Sequence, residues 1–166
     1  MRLFNYLIVT LCPKTKLSLR DMATLQEKSD TNLSAALVLT KERATCLSSV
    51  HCSYYSCYQL ILYYLDKIFS YSETKRKAEY DNYLKKFTGG GKRLGSHEYW
   101  IKQFISCIVK TGHASNSFQI DKNIRLLKEA RVEADYQEVD FTKKQTDDLY
   151  DKARDTIKLI NKSFGV

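Results

Sequence analysis

Two side chains in this sequence are candidates for chemistry on nucleic acid, His97 and Arg131. A histidine is the natural base to take the proton of a ribose 2′-hydroxyl, because its ordinary pKa of about 6.5 lies near working pH. A structural role explains each residue as well. His97 is also explained as a helix-capping residue, and Arg131 as the ion-pair partner of Asp135, four residues later. We favour the structural role for both.

Arg131 belongs to a segment, Phe118 to Asp140, whose apolar residues recur every three or four positions. These residues are Ile120, Ile124, Leu127, Ala130 and Ala134. The spacing predicts a helix with one apolar face, and Arg131 lies on that face. A guanidinium beside a core needs a partner, and Asp135 is the closest acidic residue on the same face. The pattern therefore predicts a pair between Arg131 and Asp135, followed by Tyr136.

Positive charge is concentrated between Glu73 and Lys110. The chain has a net charge of +8, and this segment holds more basic than acidic residues, with the rings of Tyr80, Tyr83 and Phe87 between them. Basic clusters with interleaved aromatic residues are typical of nucleic-acid contact, although a solvated loop has the same composition. The predicted nucleic-acid-binding residues are Lys75, Arg76, Lys77, Lys85, Lys86, Lys92 and Arg93.

Three short motifs, taken in order, resemble the HEPN family of small helical bundles. They are the pair Tyr54-Tyr55 in an early helix, Ser96-His97 at the start of a middle helix, and Arg131-x-x-x-Asp135-Tyr136 late in the chain. The similarity covers roughly residues 32–162. It implies a helical bundle that binds RNA or a nucleotide, a homodimer, a role in toxin–antitoxin or defence systems, and a nucleotidyltransferase partner.

The sequence departs from the ribonucleases of that family. Those enzymes resemble one another in an arginine followed after four to six residues by a histidine. Arg93 and His97 have only three residues between them, and Arg131 is followed by no such histidine. Asp135 is a poor replacement base if Arg131 holds it charged. We therefore expect a non-catalytic or degenerate binding protein. The alternatives are a metal-independent endoribonuclease whose atypical site forms across a dimer, and a protein-interaction adaptor without nucleic acid.

Composition predicts an all-α protein. One proline and six glycines among 166 residues leave long uninterrupted segments, which favour helices over strands. We expect an antiparallel bundle of four to five helices. The predicted helices cover residues 32–46, 48–71, 96–111, 117–140 and 143–163, and residues 73–95 are predicted to be mobile or only partly helical.

Polar residues mark the predicted helix starts. Asp30, Thr31 or Asn32 caps the first helix, Ser96 caps the middle one, and Thr142 with Gln145 forms a capping box for the last. Residues 1–29 are expected to be an N-terminal extension, accessory or produced by an upstream start, and residues 30–166 the helical domain.

The cysteines indicate a reducing compartment. There are five, an odd number without a C-x-x-C pair, so we expect free thiols in a cytoplasmic protein, with no disulfide framework, metal or cofactor. The apolar run from Leu3 to Cys12 is too short to span a bilayer, so we expect no membrane association. Apolar and aromatic side chains surround the predicted second helix, which suggests that it also faces a second subunit in a homodimer.

Overall fold

Six α-helices make up the part of the chain that the computed structural model describes, residues 24–41, 46–87, 93–136 and 140–165. They are α1 (Leu25–Leu39), α2 (Cys46–Lys67), α3 (Glu73–Lys86), α4 (Ser96–Lys110), α5 (Ala114–Tyr136) and α6 (Lys143–Ser163). These residues contain no strand. The all-α prediction is confirmed, and the expected count of four to five helices is wrong because α3 is a complete helix.

The centre of the bundle is α2, which packs against α1, α4, α5 and α6. Its buried apolar residues join those of α4, α5 and α6 in one core. The largest fully buried side chains include Tyr54, Ile61, Leu65, Phe104, Ile108, Ile120, Ile124, Leu127 and Ile160. Neighbouring helices of the same chain therefore account for the apolar circumference of α2, the feature that suggested a second subunit.

Helix α1 begins earlier than the sequence pattern predicted. Thr24 is its N-cap and accepts a hydrogen bond from the backbone of Glu27, while the Glu27 carboxylate accepts one from the backbone of Thr24. This reciprocal pair satisfies two backbone donors at the helix start. The prediction of a helix over 32–46 is thus wrong at both ends, and the expected domain boundary at residue 30 falls inside α1. Residues 1–23 lie outside the described part.

Serines join α1 to α2. The hydroxyl of Ser29 donates to the carbonyl of Ser56 at 2.7 Å, and the hydroxyl of Ser49 donates to the carbonyl of Ala36 at 3.0 Å. All three serines are buried. Their small side chains let the two helices approach closely, and the buried hydroxyls of Ser29 and Ser49 are each satisfied by the main chain of the opposite helix.

Helix α3 holds the start of α4 in place. Ser72 caps α3 by accepting from the backbone of Lys75. At the other end, the hydroxyl of Tyr80 donates to the carbonyl of Leu94 at 2.9 Å, and the backbone N–H of Leu94 donates to the hydroxyl of Tyr83 at 3.0 Å. Two tyrosines of α3 thus fix the residues that lead into α4.

The last helix begins as predicted. Thr142 and Gln145 form the capping box, with both reciprocal hydrogen bonds present. Its buried face includes Leu149, Ala153 and Ile160. Within the described part of the chain, every helix is too short or too polar to cross a membrane.

Candidate functional site

The three motifs that were far apart in the sequence meet in one cleft. It has a volume of about 270 Å³ and is lined by Tyr54 and Tyr55 of α2, Gly95, Ser96, His97 and Glu98 at the start of α4, and Lys128 and Arg131 of α5. We call this the central cleft. The packing of α4 and α5 against α2 brings them together.

The imidazole of His97 is held by tyrosines of α2. Its ring stacks on Tyr58 with centroids 4.1 Å apart and meets the ring of Tyr55 edge-on at 5.9 Å. Its Nδ1 lies 2.8 Å from the hydroxyl of Tyr54. Burial, with the positive charges of Arg131 and Lys128, lowers the pKa of His97 from the ordinary value of 6.5. His97 is therefore a neutral imidazole at physiological pH.

The direction of the hydrogen bond between Tyr54 and Nδ1 of His97 depends on which nitrogen of the ring carries the proton. Burial and the neighbouring Tyr58 and Tyr55 raise the pKa of Tyr54 well above the ordinary value, so this phenol keeps its proton. Nδ1 of His97 is the hydrogen-bond partner of that hydroxyl among the described residues. A phenol that donates to Nδ1 leaves the proton of the neutral ring on Nε2, and Nε2 is then a donor. In the other tautomer Nδ1–H donates to the phenol oxygen, and Nε2 has a free lone pair.

Arg131 lies at the edge of the cleft. Its Nε is 2.8 Å from Oδ2 of Asp135, as predicted, and the side chains are 20% and 26% exposed. The pair is partly exposed, and the N–H at Nε lacks a well-aligned hydrogen bond within the described part of the chain. The guanidinium also lies over the rings of Tyr55 and Tyr136, at 5.8 and 5.9 Å. Nδ1 of His51 is 3.5 Å from the other oxygen of Asp135.

Glu98 is a site residue that the sequence pattern did not identify. Its two carboxylate oxygens accept from Arg125 and Lys128, each at 2.6 Å. Burial raises the pKa of Glu98, but the hydrogen bonds from Lys128 and Arg125 outweigh this effect and hold the pKa below its ordinary value. These partners lie 27 and 30 residues away in the sequence, so no local spacing could have indicated them.

The predicted nucleic-acid-binding residues have different environments. Lys75, Lys77, Lys85, Lys86 and Arg93 are exposed. Arg93 lines a cavity of about 290 Å³ beside the central cleft, together with Lys128. Lys92 lies outside the described residues.

Arg76 departs from the prediction. It is only 8% exposed, and its Nη1 donates to the main-chain carbonyls of Tyr71 at 2.6 Å and Leu62 at 3.4 Å. The side chain points into the fold, so we remove Arg76 from the set of surface residues proposed to contact nucleic acid.

The start of α4 differs from the predicted cap. Gly95, not Ser96, is the N-cap, and it supplies no side-chain hydrogen bond. Ser96 and His97 are the first two residues of the helix, and both line the central cleft. The predicted capping role of Ser96 is thus wrong.

The site contains no obvious metal ligands. Within the described ranges, no group of three or more histidine, cysteine, aspartate and glutamate side chains is arranged to hold a metal ion. The chemistry available in the central cleft is that of two cations, the carboxylate of Glu98, a neutral imidazole and tyrosine rings.

Comparison with known proteins assigns no family to this chain, so its class is defined by the fold alone. No protein-family model, no curated protein and no solved structure matches the chain. The described residues form an all-helical protein of six helices. Its function has to be argued from the central cleft and the charges around it.

Proposed function

We propose that this chain is a HEPN-like protein that binds RNA or a nucleotide and is non-catalytic or degenerate as a ribonuclease. One observation carries the proposal: the motifs Tyr54-Tyr55, Ser96-His97 and Arg131-x-x-x-Asp135 contribute to one cleft, although each belongs to a different helix. The resemblance also suggests a nucleotidyltransferase partner and a toxin–antitoxin or defence setting.

The charges of the central cleft favour an anionic ligand. Lys128 and Arg131 line it, and Arg93 lies in the adjoining cavity. Glu98 and Asp135 neutralise part of this charge, as the ion-pair partners of Lys128 and Arg131. Arginine and lysine side chains at the edge of a cleft are suited to phosphate oxygens. With the proton on Nε2, His97 adds a neutral donor for a phosphate or a base edge.

The same geometry favours binding over catalysis. A general base must have a free lone pair, and His97 lacks one in the tautomer in which Tyr54 donates to Nδ1 and Nε2 carries the proton. Asp135, outside the lining of the cleft, is engaged by Arg131. In that tautomer neither His97 nor Asp135 is ready to take a proton from a ribose hydroxyl.

A metal-independent endoribonuclease is the second candidate. It is favoured by the presence of a neutral histidine and an arginine in one cleft. In this candidate the site is completed across a dimer. Cleavage that is lost in His97→Ala, and that persists in the presence of a chelator, would support the enzyme and contradict our proposal.

The test of the main proposal is a titration with single-stranded RNA at several salt concentrations. We expect binding without cleavage and an affinity that falls steeply with salt, because each neutralised phosphate releases counterions. Arg131→Ala should weaken binding by about tenfold or more, the effect of losing one charge-assisted contact. Arg154→Ala is the matched control, since Arg154 is also paired with an aspartate, Asp151 at 2.9 Å, but lies on α6.

The exposed basic residues are tested separately. We propose that Lys75, Lys77, Lys85, Lys86, Lys92 and Arg93 contact the RNA backbone. Charge reversal of Lys92 and Arg93 together should reduce affinity and the salt dependence. Unchanged RNA binding by that double variant would refute the placement. If neither the wild type nor any variant binds RNA, the hypothesis of a protein-interaction adaptor without nucleic acid remains.

We also propose a homodimer, following the resemblance. Neighbouring helices of the same chain cover the apolar circumference of α2, so that helix no longer supports the dimer. The exposed apolar side chains Phe118 and Tyr136 on α5, 74% and 75% exposed, are candidates for its interface. Sedimentation that shows a monomer at micromolar concentration would contradict the dimer.

A further inference from the structure

A second cavity lies on the other side of the start of α4. Its volume is about 680 Å³, within the usual size range for small-molecule sites. We call it the Arg76 cavity. It is bounded by α1, α2, α3 and α4, and the residues used below are Lys28, Tyr58, Asp66, Glu73, Arg76, Lys77 and Trp100. Ser96 and His97 line both this cavity and the central cleft.

Arg76 is a fixed cation at the wall of this cavity. Its two hydrogen bonds, to the carbonyls of Leu62 and Tyr71, both come from Nη1. A guanidinium has five N–H donors, so Nε and Nη2 are not used by these carbonyls. The carbonyls orient the group without cancelling its charge, and no carboxylate of the described residues forms an ion pair with it. A nearly buried cation with neutral partners favours an anion beside it.

Aromatic rings form another wall. Tyr58 is 7% exposed and stacks on His97, and Trp100 is 4% exposed, so a small part of each ring reaches the cavity. The charge of Arg76 reaches this wall: burial raises the pKa of Tyr58, and the nearby guanidinium partly offsets that effect. The ring surface that lines the cavity offers a nucleobase apolar contact beside the phosphate-binding group, without full stacking on either ring.

The charged side chains that line the Arg76 cavity favour a single nucleotide over a nucleic-acid strand. Lys28 and Lys77 add positive charge, whereas Asp66 and Glu73 are carboxylates. Carboxylates accept hydrogen bonds from ribose hydroxyls, and they repel the successive phosphates of a nucleic-acid strand. The lining therefore favours a ligand with one phosphate and one sugar.

We infer that the Arg76 cavity binds a nucleoside monophosphate, with the phosphate at Arg76 and Lys77 and the base against Tyr58 and Trp100. This inference deepens the proposed function, on which it rests for the choice of a nucleotide over other aromatic phosphates. It adds a second site, separate from the cleft that contains Arg131.

The experiment is calorimetric titration of the full chain with adenosine 5′-monophosphate, adenosine and inorganic phosphate. We expect the monophosphate to bind at least about tenfold more tightly than either fragment, since each lacks one of the two recognised groups. Two variants test the site: Arg76→Gln keeps amide donors for the carbonyls and removes the charge, and Lys77→Glu changes an exposed residue. Each should weaken binding by about tenfold or more. Lys102→Glu, an exposed residue of α4 outside both cavities, is the control and should bind normally.

Four outcomes would overturn the inference. Adenosine that binds as tightly as the monophosphate would remove the phosphate contact. Normal binding by the folded Lys77→Glu and Arg76→Gln variants would place the ligand elsewhere. Loss of monophosphate binding in Arg131→Ala but not in Arg76→Gln would place it in the central cleft, which contradicts this inference and supports the proposed function. Single-stranded RNA binding that is lost in Arg131→Ala while no monophosphate binds would likewise refute the second site alone.

Discussion

Replacement of Arg131 by alanine separates a structural pair from a functional one. A fully buried pair that loses one partner costs about 3–5 kcal/mol. The pair of Arg131 and Asp135 is instead partly exposed, and an i,i+4 pair of that kind contributes about 0.3–0.5 kcal/mol. Each contact of the guanidinium with a tyrosine ring adds about 0.5–1 kcal/mol, and both ring distances lie near the outer limit for such contacts. We therefore expect Arg131→Ala to lower the free energy of unfolding by about 1–2 kcal/mol.

The measurement is urea denaturation of the wild type, Arg131→Ala, Asp135→Ala and the double variant, with RNA titrations on the same samples. The double-mutant cycle should give a coupling of about 0.5 kcal/mol. Arg154→Ala is again the control, because its guanidinium is 41% exposed, pairs with Asp151 and lies 5.9 Å from the ring of Tyr150. It should cost less than about 1 kcal/mol, since it is more exposed, and should leave RNA binding unchanged.

Two results would refute this reasoning. A loss of about 3–5 kcal/mol in Arg131→Ala would mean that the pair behaves as a buried structural bridge. A loss of about 1–2 kcal/mol with unaltered RNA affinity would mean that Arg131 is neither a major structural residue nor a ligand contact.

Further predictions concern His97, Gly112 and Phe104. Because the pKa of His97 is lowered in the folded chain, the unfolded chain binds more protons than the folded chain just below pH 6.5. The free energy of unfolding should therefore fall as the pH drops below 6.5. Urea titrations of His97→Gln should show a smaller pH dependence. Gly112 has a φ of +89°, so Gly112→Ala should cost about 1 kcal/mol in a thermal melt even though nothing lies within 4 Å of the added Cβ; a neutral result would contradict strain at this turn. Phe104 is fully buried, and Phe104→Ala should cost about 3–5 kcal/mol by chemical denaturation, with a smaller loss indicating that the core collapses into the space.

The helices that form the core were predictable from the sequence. The apolar period predicts α5, whose Ile120, Ile124 and Leu127 are all fully buried, although the helix spans Ala114–Tyr136 rather than 117–140. In α6 period and cap agree, since Thr142 with Gln145 forms the expected capping box. Local signals suffice there because the same residues that favour the helix also supply its buried face.

The errors in the predictions for α1 and α3 also have local causes. The predicted start of α1 is too late in the chain because Asp30, Thr31 and Asn32 are residue types that favour helix caps. The actual capping box, Thr24 and Glu27, is a sequence signal of the same kind and lies earlier. Residues 73–95 were predicted to be mobile or only partly helical because basic charge is concentrated there, and residues 73–86 form the complete helix α3. Its packing depends on tyrosines and on Arg76, which turns inward to main-chain carbonyls, and the sequence gives no sign of that direction.

The central cleft was only partly predictable. The resemblance to the HEPN family picked out its motif residues in Tyr54-Tyr55, Ser96-His97 and Arg131. Their distances were not predictable, and neither was Glu98, whose partners come from α5. Contacts between distant helices depend on packing angles, which no spacing along one helix determines.

The serine contacts between α1 and α2 set the register of the two helices. Ser29 and Ser49 bind main-chain carbonyls on opposite helices, so a slide of one helical turn along the interface would break both bonds at once and leave two buried hydroxyls unsatisfied. Piston-like motion of α1 is therefore disfavoured. Lys28 precedes Ser29 and lines the Arg76 cavity, so its position along the axis of α1 is fixed as well. The α1 side of the cavity is therefore a rigid wall for a ligand.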